Sequence, residues 1–141
     1  MKKNKVTKLK VFLLGHMLSL VLLVVLFEIA YASEIKLPWI IATIASLVIL
    51  LISFIMTIWR TGLWQRAHLS DKVLDEREIQ QNYKTLKLSY SVFTISILLV
   101  IYLYFFLDLR ITALPAACAI YFAHVLPALF LGWKYGIPAE D

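Results

Sequence analysis

The chain has 141 residues, of which 62% are hydrophobic and only 16% are charged, and its formal net charge is +5. Ordinary soluble domains hold roughly 45–50% apolar and about 25% charged residues, and a soluble fold of this size cannot bury so large an apolar excess. The composition therefore predicts an integral membrane protein, and it excludes a soluble nucleotide-binding domain, a secreted disulfide scaffold and a long disordered tail.

Four long apolar runs account for this composition, at residues 11–31, 37–59, 88–107 and 111–133. Each run is close to the roughly 20 residues that a helix needs to cross about 30 Å of hydrocarbon. Glu28 is the only Asp, Glu, Lys or Arg inside them, as the cost of charge in lipid demands. Backbone polar groups in lipid must be satisfied within the segment. We therefore predict an all-α, four-helix membrane bundle, with residues 1–141 forming one membrane domain.

The first run follows five lysines in residues 1–10 and ends at Ala30-Tyr31-Ala32, which resembles a signal-peptide cleavage site. Its apolar stretch, Val11 to Phe27, is longer than the roughly 7–15 residues usual in signal peptides. Glu28 also separates this stretch from the small residues. We expect the run to be retained as a membrane helix. Cleavage is the alternative, and it would leave three spans with unchanged sidedness.

Basic residues are distributed unevenly among the connections. Of the 14 Lys and Arg residues, only Lys36 and Arg110 lie in the short connections at residues 32–36 and 108–110. The others lie in residues 1–10, in residues 60–87 and at Lys134. Positive residues remain on the cytoplasmic side of membranes. We predict cytoplasmic termini and a cytoplasmic middle loop; the basic face favours anionic lipid headgroups, and nothing favours nucleic acid.

The middle loop contains a helical apolar pattern. Its apolar residues recur at steps of three or four, with Glu76 interrupting the pattern at one position: Leu69, Val73, Ile79, Tyr83, Leu86 and Tyr90. This spacing predicts an amphipathic helix over Ser70–Lys87 that continues into the third span. Ser70 or Asp71 is the predicted N-cap, and residues 60–70 form the predicted turn around Gly62.

The same segment holds the candidate residues for binding a partner: Asp75, Glu76, Arg77, Glu78 and Tyr83. Adjacent acidic and basic side chains offer directional charge pairing, and an apolar stripe needs a surface to cover it. Acidic residues fit poorly against an anionic leaflet, so a protein partner is favoured over lipid. A solvated helix face is the alternative interpretation.

The stretch Asp75-Glu76-Arg77-Glu78, leading into a membrane span, resembles small, mostly uncharacterised bacterial membrane proteins. The resemblance covers about residues 71–100. It implies a bacterial inner-membrane protein and brings no catalytic residues with it.

Catalytic and metal-binding motifs are missing from the sequence. Cys118 is the one cysteine, which excludes an intramolecular disulfide, a CxxC redox pair and a thiolate metal cluster. There is no glycine-rich phosphate loop, HExxH or GxSxG pattern. We therefore predict a protein without enzymatic activity and without a required cofactor.

Three ionisable residues within the spans remain as candidates. Glu28 lies near the outer end of the first span, where it could pair with Lys36 or Arg110; proton-coupled transport is the alternative. His16 and His124 lie in the inner leaflet by residue counting, and two neutral imidazoles at similar depth could ligate a haem or a metal. Packed, hydrogen-bonded histidines are the simpler interpretation.

Three classes of function are consistent with these features. The favoured class is an interaction, accessory or immunity-type subunit that binds a larger membrane protein or forms a homo-oligomer. A small transporter, channel or holin-like pore is the alternative. The small multidrug resistance transporters also have four spans with an acid in the first, but their glutamate is central, whereas Glu28 is close to a helix end. A haem carrier or membrane enzyme is the third class.

Overall fold

The computed structural model describes residues 2–34, 36–69 and 74–136, with side chains from residue 7 onward. The described chain is helical and contains no strand, as predicted. Its five helices are α1 (Lys2–Ala32), α2 (Leu37–Phe54), α3 (Leu63–His68), α4 (Glu76–Phe106) and α5 (Ala113–Tyr135). Four helical segments are long and apolar enough to cross a membrane, namely Thr7–Ala32, Leu37–Trp59, Glu76–Phe106 and Ala113–Tyr135. The four predicted spans are therefore confirmed as helices of sufficient length and hydropathy.

The connection after α2 is more structured than the predicted turn. α2 is followed directly by one π-helical turn, Ile55–Trp59, and the Arg60 N–H donates to the Ile55 carbonyl at 2.9 Å. Gly62 follows with φ of 70°, a left-handed conformation that costs glycine little. This glycine reverses the chain and allows α3 to start at once. α3 lies where a turn over residues 60–70 was predicted.

Helix α4 begins at a defined cap. The Asp75 carboxylate accepts a hydrogen bond from the Glu78 N–H at 2.6 Å, which satisfies one of the unpaired donors of the first turn. Asp75, rather than the predicted Ser70 or Asp71, therefore caps this helix; residues 70–73 lie outside the described residues. The 31 residues of α4 correspond to about 46 Å at 1.5 Å per residue, well beyond the roughly 30 Å of a hydrocarbon core.

The long helices pack in the order α2, α1, α5, α4, with α3 lying against α5. The two central helices, α1 and α5, are more buried than the outer two. In their spans 33% and 39% of the residues are buried, against 17% for α2 and 6% for α4. We call the end that holds α3 the α3 end; the connections between α1 and α2 and between α4 and α5 lie at the opposite end.

Two apolar clusters join the helices. The cluster at the α3 end includes Leu13, Ile58, Leu63, Val125 and Leu131, and the second cluster contains Leu20, Leu23, Leu50 and Cys118. Close contact is the main source of helix association in lipid. At Gly132, a Cβ atom would lie 2.6 Å from Leu63 Cδ1. The absent side chain is therefore what allows α3 to pack so closely against α5.

Candidate functional site

His16 on α1 forms the centre of a buried polar cluster. Its Nδ1 lies 3.2 Å from the Ser53 hydroxyl on α2, and its Nε2 lies 2.9 Å from the Tyr121 hydroxyl on α5. The side chain is fully buried. A neutral imidazole offers one donor and one acceptor, and a hydroxyl can complement either. Both ring nitrogens are thus engaged within the protein, and the cluster links three helices.

His124 has a different environment. It is exposed on α5, and its Nδ1 lies 2.9 Å from the Ile120 carbonyl of the same helix. Because a carbonyl only accepts, this hydrogen bond requires the proton on Nδ1. The two candidate haem ligands thus differ, because both ring nitrogens of His16 contact hydroxyl groups of other helices, whereas the hydrogen bond of His124 is within its own helix. Among the described residues, no group of three His, Cys, Asp or Glu side chains could hold a metal ion.

Glu28 interacts with hydroxyl groups near the end of the molecule opposite to the α3 end. Tyr104 on α4 donates to its Oε1 at 2.8 Å, and Thr112 lies at 3.5 Å from the same oxygen. The basic residues considered as partners, Lys36 and Arg110, are exposed. In the described part of the chain, Glu28 therefore connects α1 to α4 through hydrogen bonds rather than through an ion pair.

The Glu28 and His16 clusters are separated along α1. The two positions are twelve residues apart on the helix, a rise of about 18 Å. Leu20, Leu23 and Cys118 occupy this interval in the second apolar cluster. Ser19 is also buried in this interval, and its hydroxyl donates to the His16 carbonyl at 2.7 Å.

A third polar cluster connects α3 to the start of α4. Arg66 Nη2 donates to Gln81 Oε1 at 2.7 Å, and Asn82 Nδ2 donates to the Arg66 carbonyl at 2.8 Å. Arg66 Nε also lies 3.3 Å from Glu78 Oε1, an ion pair that lacks hydrogen-bond geometry. We call Arg66, Glu78, Gln81 and Asn82 the α3–α4 clamp.

The five predicted partner-binding residues therefore divide into two groups. Asp75 is the helix cap, and Glu78 pairs within the clamp, so the carboxylates of both are already engaged by the protein itself. Glu76 and Arg77 are exposed, as is Tyr83, at 69%. The division follows from position at the start of α4. The Asp75 carboxylate accepts from a backbone N–H of the first turn, and the Glu78 carboxylate contacts Arg66 of α3.

Tyr83 belongs to an exposed face on the part of α4 nearest the α3 end. Leu86 and Tyr90 follow at spacings of three and four residues, which places all three on one side of the helix. They are 69%, 56% and 73% exposed, respectively. We call Tyr83, Leu86 and Tyr90 the tyrosine face. Ala67 and Leu69, at the end of α3, line a shallow pocket together with Tyr83 and Leu86, and the side chains of the tyrosine face remain largely exposed beside it.

Sequence reasoning did not identify the clamp or the His16 cluster. Arg66 is 15 and 16 residues from Gln81 and Asn82, and no local pattern connects them. His16, Ser53 and Tyr121 lie toward the α3 end of three predicted spans, and a search for polar residues at similar depth could have grouped them.

Comparison of the chain with protein-family models, with curated proteins and with solved structures found no match. The function therefore has to be argued from the geometry.

Proposed function

We propose that this chain is a multi-pass membrane protein without enzymatic activity, which serves as an accessory or immunity-type subunit for a larger membrane protein. The partner binds the tyrosine face of α4. The single observation that carries the proposal is that Tyr83, Leu86 and Tyr90 are exposed together on α4, around the predicted start of the third span.

The proposal includes an orientation. The uneven distribution of Lys and Arg favours an arrangement in which the α3 end and both termini face the cytoplasm. The resemblance of the Asp75–Glu78 stretch favours the inner membrane of a bacterium. The tyrosine face then lies at the cytoplasmic boundary, where tyrosine rings are favoured because they have an apolar body and a polar tip.

Rigidity of the binding element supports this function. The clamp fixes the base of α4 to α3, and α3 in turn inserts Leu63 against Gly132 of α5. A surface held in one conformation loses little conformational entropy when a partner binds. Glu76 and Arg77, one turn or more before Tyr83, supply charges at the edge of the apolar face that can select a partner.

Internal hydrogen bonding favours this proposal over a transporter or a pore. The two clusters around Glu28 and His16 are satisfied by side chains of the protein, and apolar residues separate them. A conducting path needs polar groups that line a continuous cavity.

Site-specific photo-cross-linking in the native host tests the proposal. A benzophenone amino acid replaces Tyr83 in one variant and Gln80, an exposed residue one turn earlier, in the matched control. Gln80 is about 60° from Tyr83 around the helix, away from Leu86 and Tyr90. We expect a discrete adduct with one membrane protein from position 83 and a much weaker one from position 80. Equal adducts at both positions, or none at 83, would contradict the proposal.

A further inference from the structure

A groove lies between α1 and α4, with α5 as its floor. It has a volume of about 240 Å³. Its walls are apolar, and they include Leu14 and Met17 of α1, Val92 of α4, and Phe122, Leu126 and Trp133 of α5. We call it the α1–α4 groove.

The groove has the length of one membrane leaflet. On α5 it extends from Phe122 to Trp133, which are eleven positions apart, or about 16 Å at 1.5 Å per residue. Half of a hydrocarbon core of about 30 Å is nearly the same length. Trp133 lies at the end of the groove nearest the α3 end, and tryptophan prefers the headgroup level of a membrane. The groove therefore covers the half of the layer nearer to the α3 end.

A positive charge lies at the headgroup end of the groove. Lys10 Nζ is 5.2 Å from the centre of the Trp133 ring. Lys10 precedes Leu13, Leu14 and Met17 by three, four and seven residues, so it continues the groove wall on the same side of α1. Among the described residues, no carboxylate forms an ion pair with it.

We propose that the α1–α4 groove binds one acyl chain of an anionic phospholipid, whose phosphate pairs with Lys10. The inference rests on the proposed orientation, which places the α3 end and Lys10 at the cytoplasmic leaflet, where anionic lipids bind basic residues. A volume of about 240 Å³ distributed over one leaflet is far too narrow for a partner helix of about 10 Å diameter. The charge at the mouth selects an anionic headgroup over a neutral one.

Native mass spectrometry of the full-length protein tests this site. The protein is released from micelles that contain equal amounts of phosphatidylglycerol and phosphatidylcholine with identical acyl chains. We expect one retained phosphatidylglycerol per chain. The Lys10→Gln variant should lose about fivefold of this preference, the factor that corresponds to about 1 kcal/mol per basic residue near an anionic surface.

Lys8→Gln is the matched control, because Lys8 is exposed and lies about 160° from Lys10 around α1. It removes the same charge from the same helix end and should leave the preference unchanged. Equal losses in the two variants would show a diffuse basic surface and would overturn the site.

A second variant, Val92→Trp, fills the groove from α4 without altering charge, and circular dichroism verifies that it folds. We expect it to abolish retention of the lipid. Unchanged retention in this variant, or equal retention of both lipids by the wild-type chain, overturns the proposal. Lipid retention together with failed cross-linking at Tyr83 would contradict the proposed function alone, because the two sites share no residue.

Discussion

The Tyr121 hydroxyl on α5 lies 2.9 Å from Nε2 of His16 on α1, at a point where the imidazole is completely buried. This contact, together with Ser53 on α2, gives three helices a common polar connection within a largely apolar layer. If the helices shifted relative to one another, a ring nitrogen of His16 would lose its hydrogen-bond partner in a low-dielectric interior. The free-energy cost of that unpaired nitrogen favours the observed register of the three helices.

Removal of the Tyr121 hydroxyl measures this contact. We expect Tyr121→Phe to reduce the free energy of unfolding by about 1 kcal/mol, since hydrogen bonds between membrane helices are modest and a buried nitrogen loses its partner. Reversible unfolding in mixed micelles provides the measurement. Tyr102→Phe, on the 58% exposed Tyr102, is the control and should change little. Equal effects of the two substitutions would contradict a stabilising role for the His16 contact.

Packing at Gly132 is the subject of a second prediction. Gly132→Ala places a methyl group against Leu63 Cδ1, at 2.6 Å before relaxation, and Leu63 is fully buried. Overpacking of this kind costs about 1–3 kcal/mol, and we expect lower thermal stability with displacement of α3. Gly15→Ala is the matched control, because no atom lies within 4 Å of its added Cβ. That helical glycine should be neutral or gain up to about 1 kcal/mol from reduced backbone entropy. A neutral Gly132→Ala chain would show that Leu63 moves freely.

The sequence was sufficient to predict the spans, because unbroken apolar runs and excluded charge follow directly from the cost of transfer into lipid. It was insufficient for α3, whose six residues are too few to form an isolated helix and depend on the packing of Leu63. The partners of Glu28 also could not be derived. Hydropathy locates a residue along the membrane normal but does not give the rotation of each helix, and this rotation brings Tyr104 to the carboxylate while Lys36 and Arg110 remain exposed.

Glu28 provides a third prediction. A glutamine at this position retains a carbonyl oxygen that can accept from Tyr104, so Glu28→Gln should insert and fold with little loss of stability. Glu28→Ala removes the acceptor and leaves the buried Tyr104 hydroxyl unsatisfied, which costs about 1–3 kcal/mol. Thermal unfolding in detergent distinguishes the two variants. If the glutamine variant folds normally but no longer supports the cellular phenotype that depends on the wild-type protein, a proton-coupled role replaces the structural one.

Orientation is tested by reporter fusions. A reporter that is active only in the cytoplasm should be active when fused after Asp141 and inactive when fused after Glu34, because most of the Lys and Arg residues lie on one side. Both the proposed function and the lipid site depend on this result. Activity at Glu34 combined with silence at Asp141 would place the tyrosine face and Lys10 outside the cytoplasm.

Charge reversal separates the two acids of the first turn of α4. Glu76 is exposed, whereas Glu78 lies 3.3 Å from Arg66 Nε with side-chain exposures of 31% and 12%. Glu76→Lys should leave the clamp intact and weaken partner recovery, more strongly at low salt, where exposed charges are least screened.

Glu78→Lys should reduce the free energy of unfolding by about 1 kcal/mol or more, because it removes a partly buried partner of Arg66 and places like charges together. Faster hydrogen exchange in α3 reports that loosening, and Arg66→Glu in the same chain should reverse part of it. Identical exchange in the Glu76→Lys and Glu78→Lys chains would mean that hydrogen bonds to Gln81 and Asn82, rather than the ion pair, hold α3 to α4.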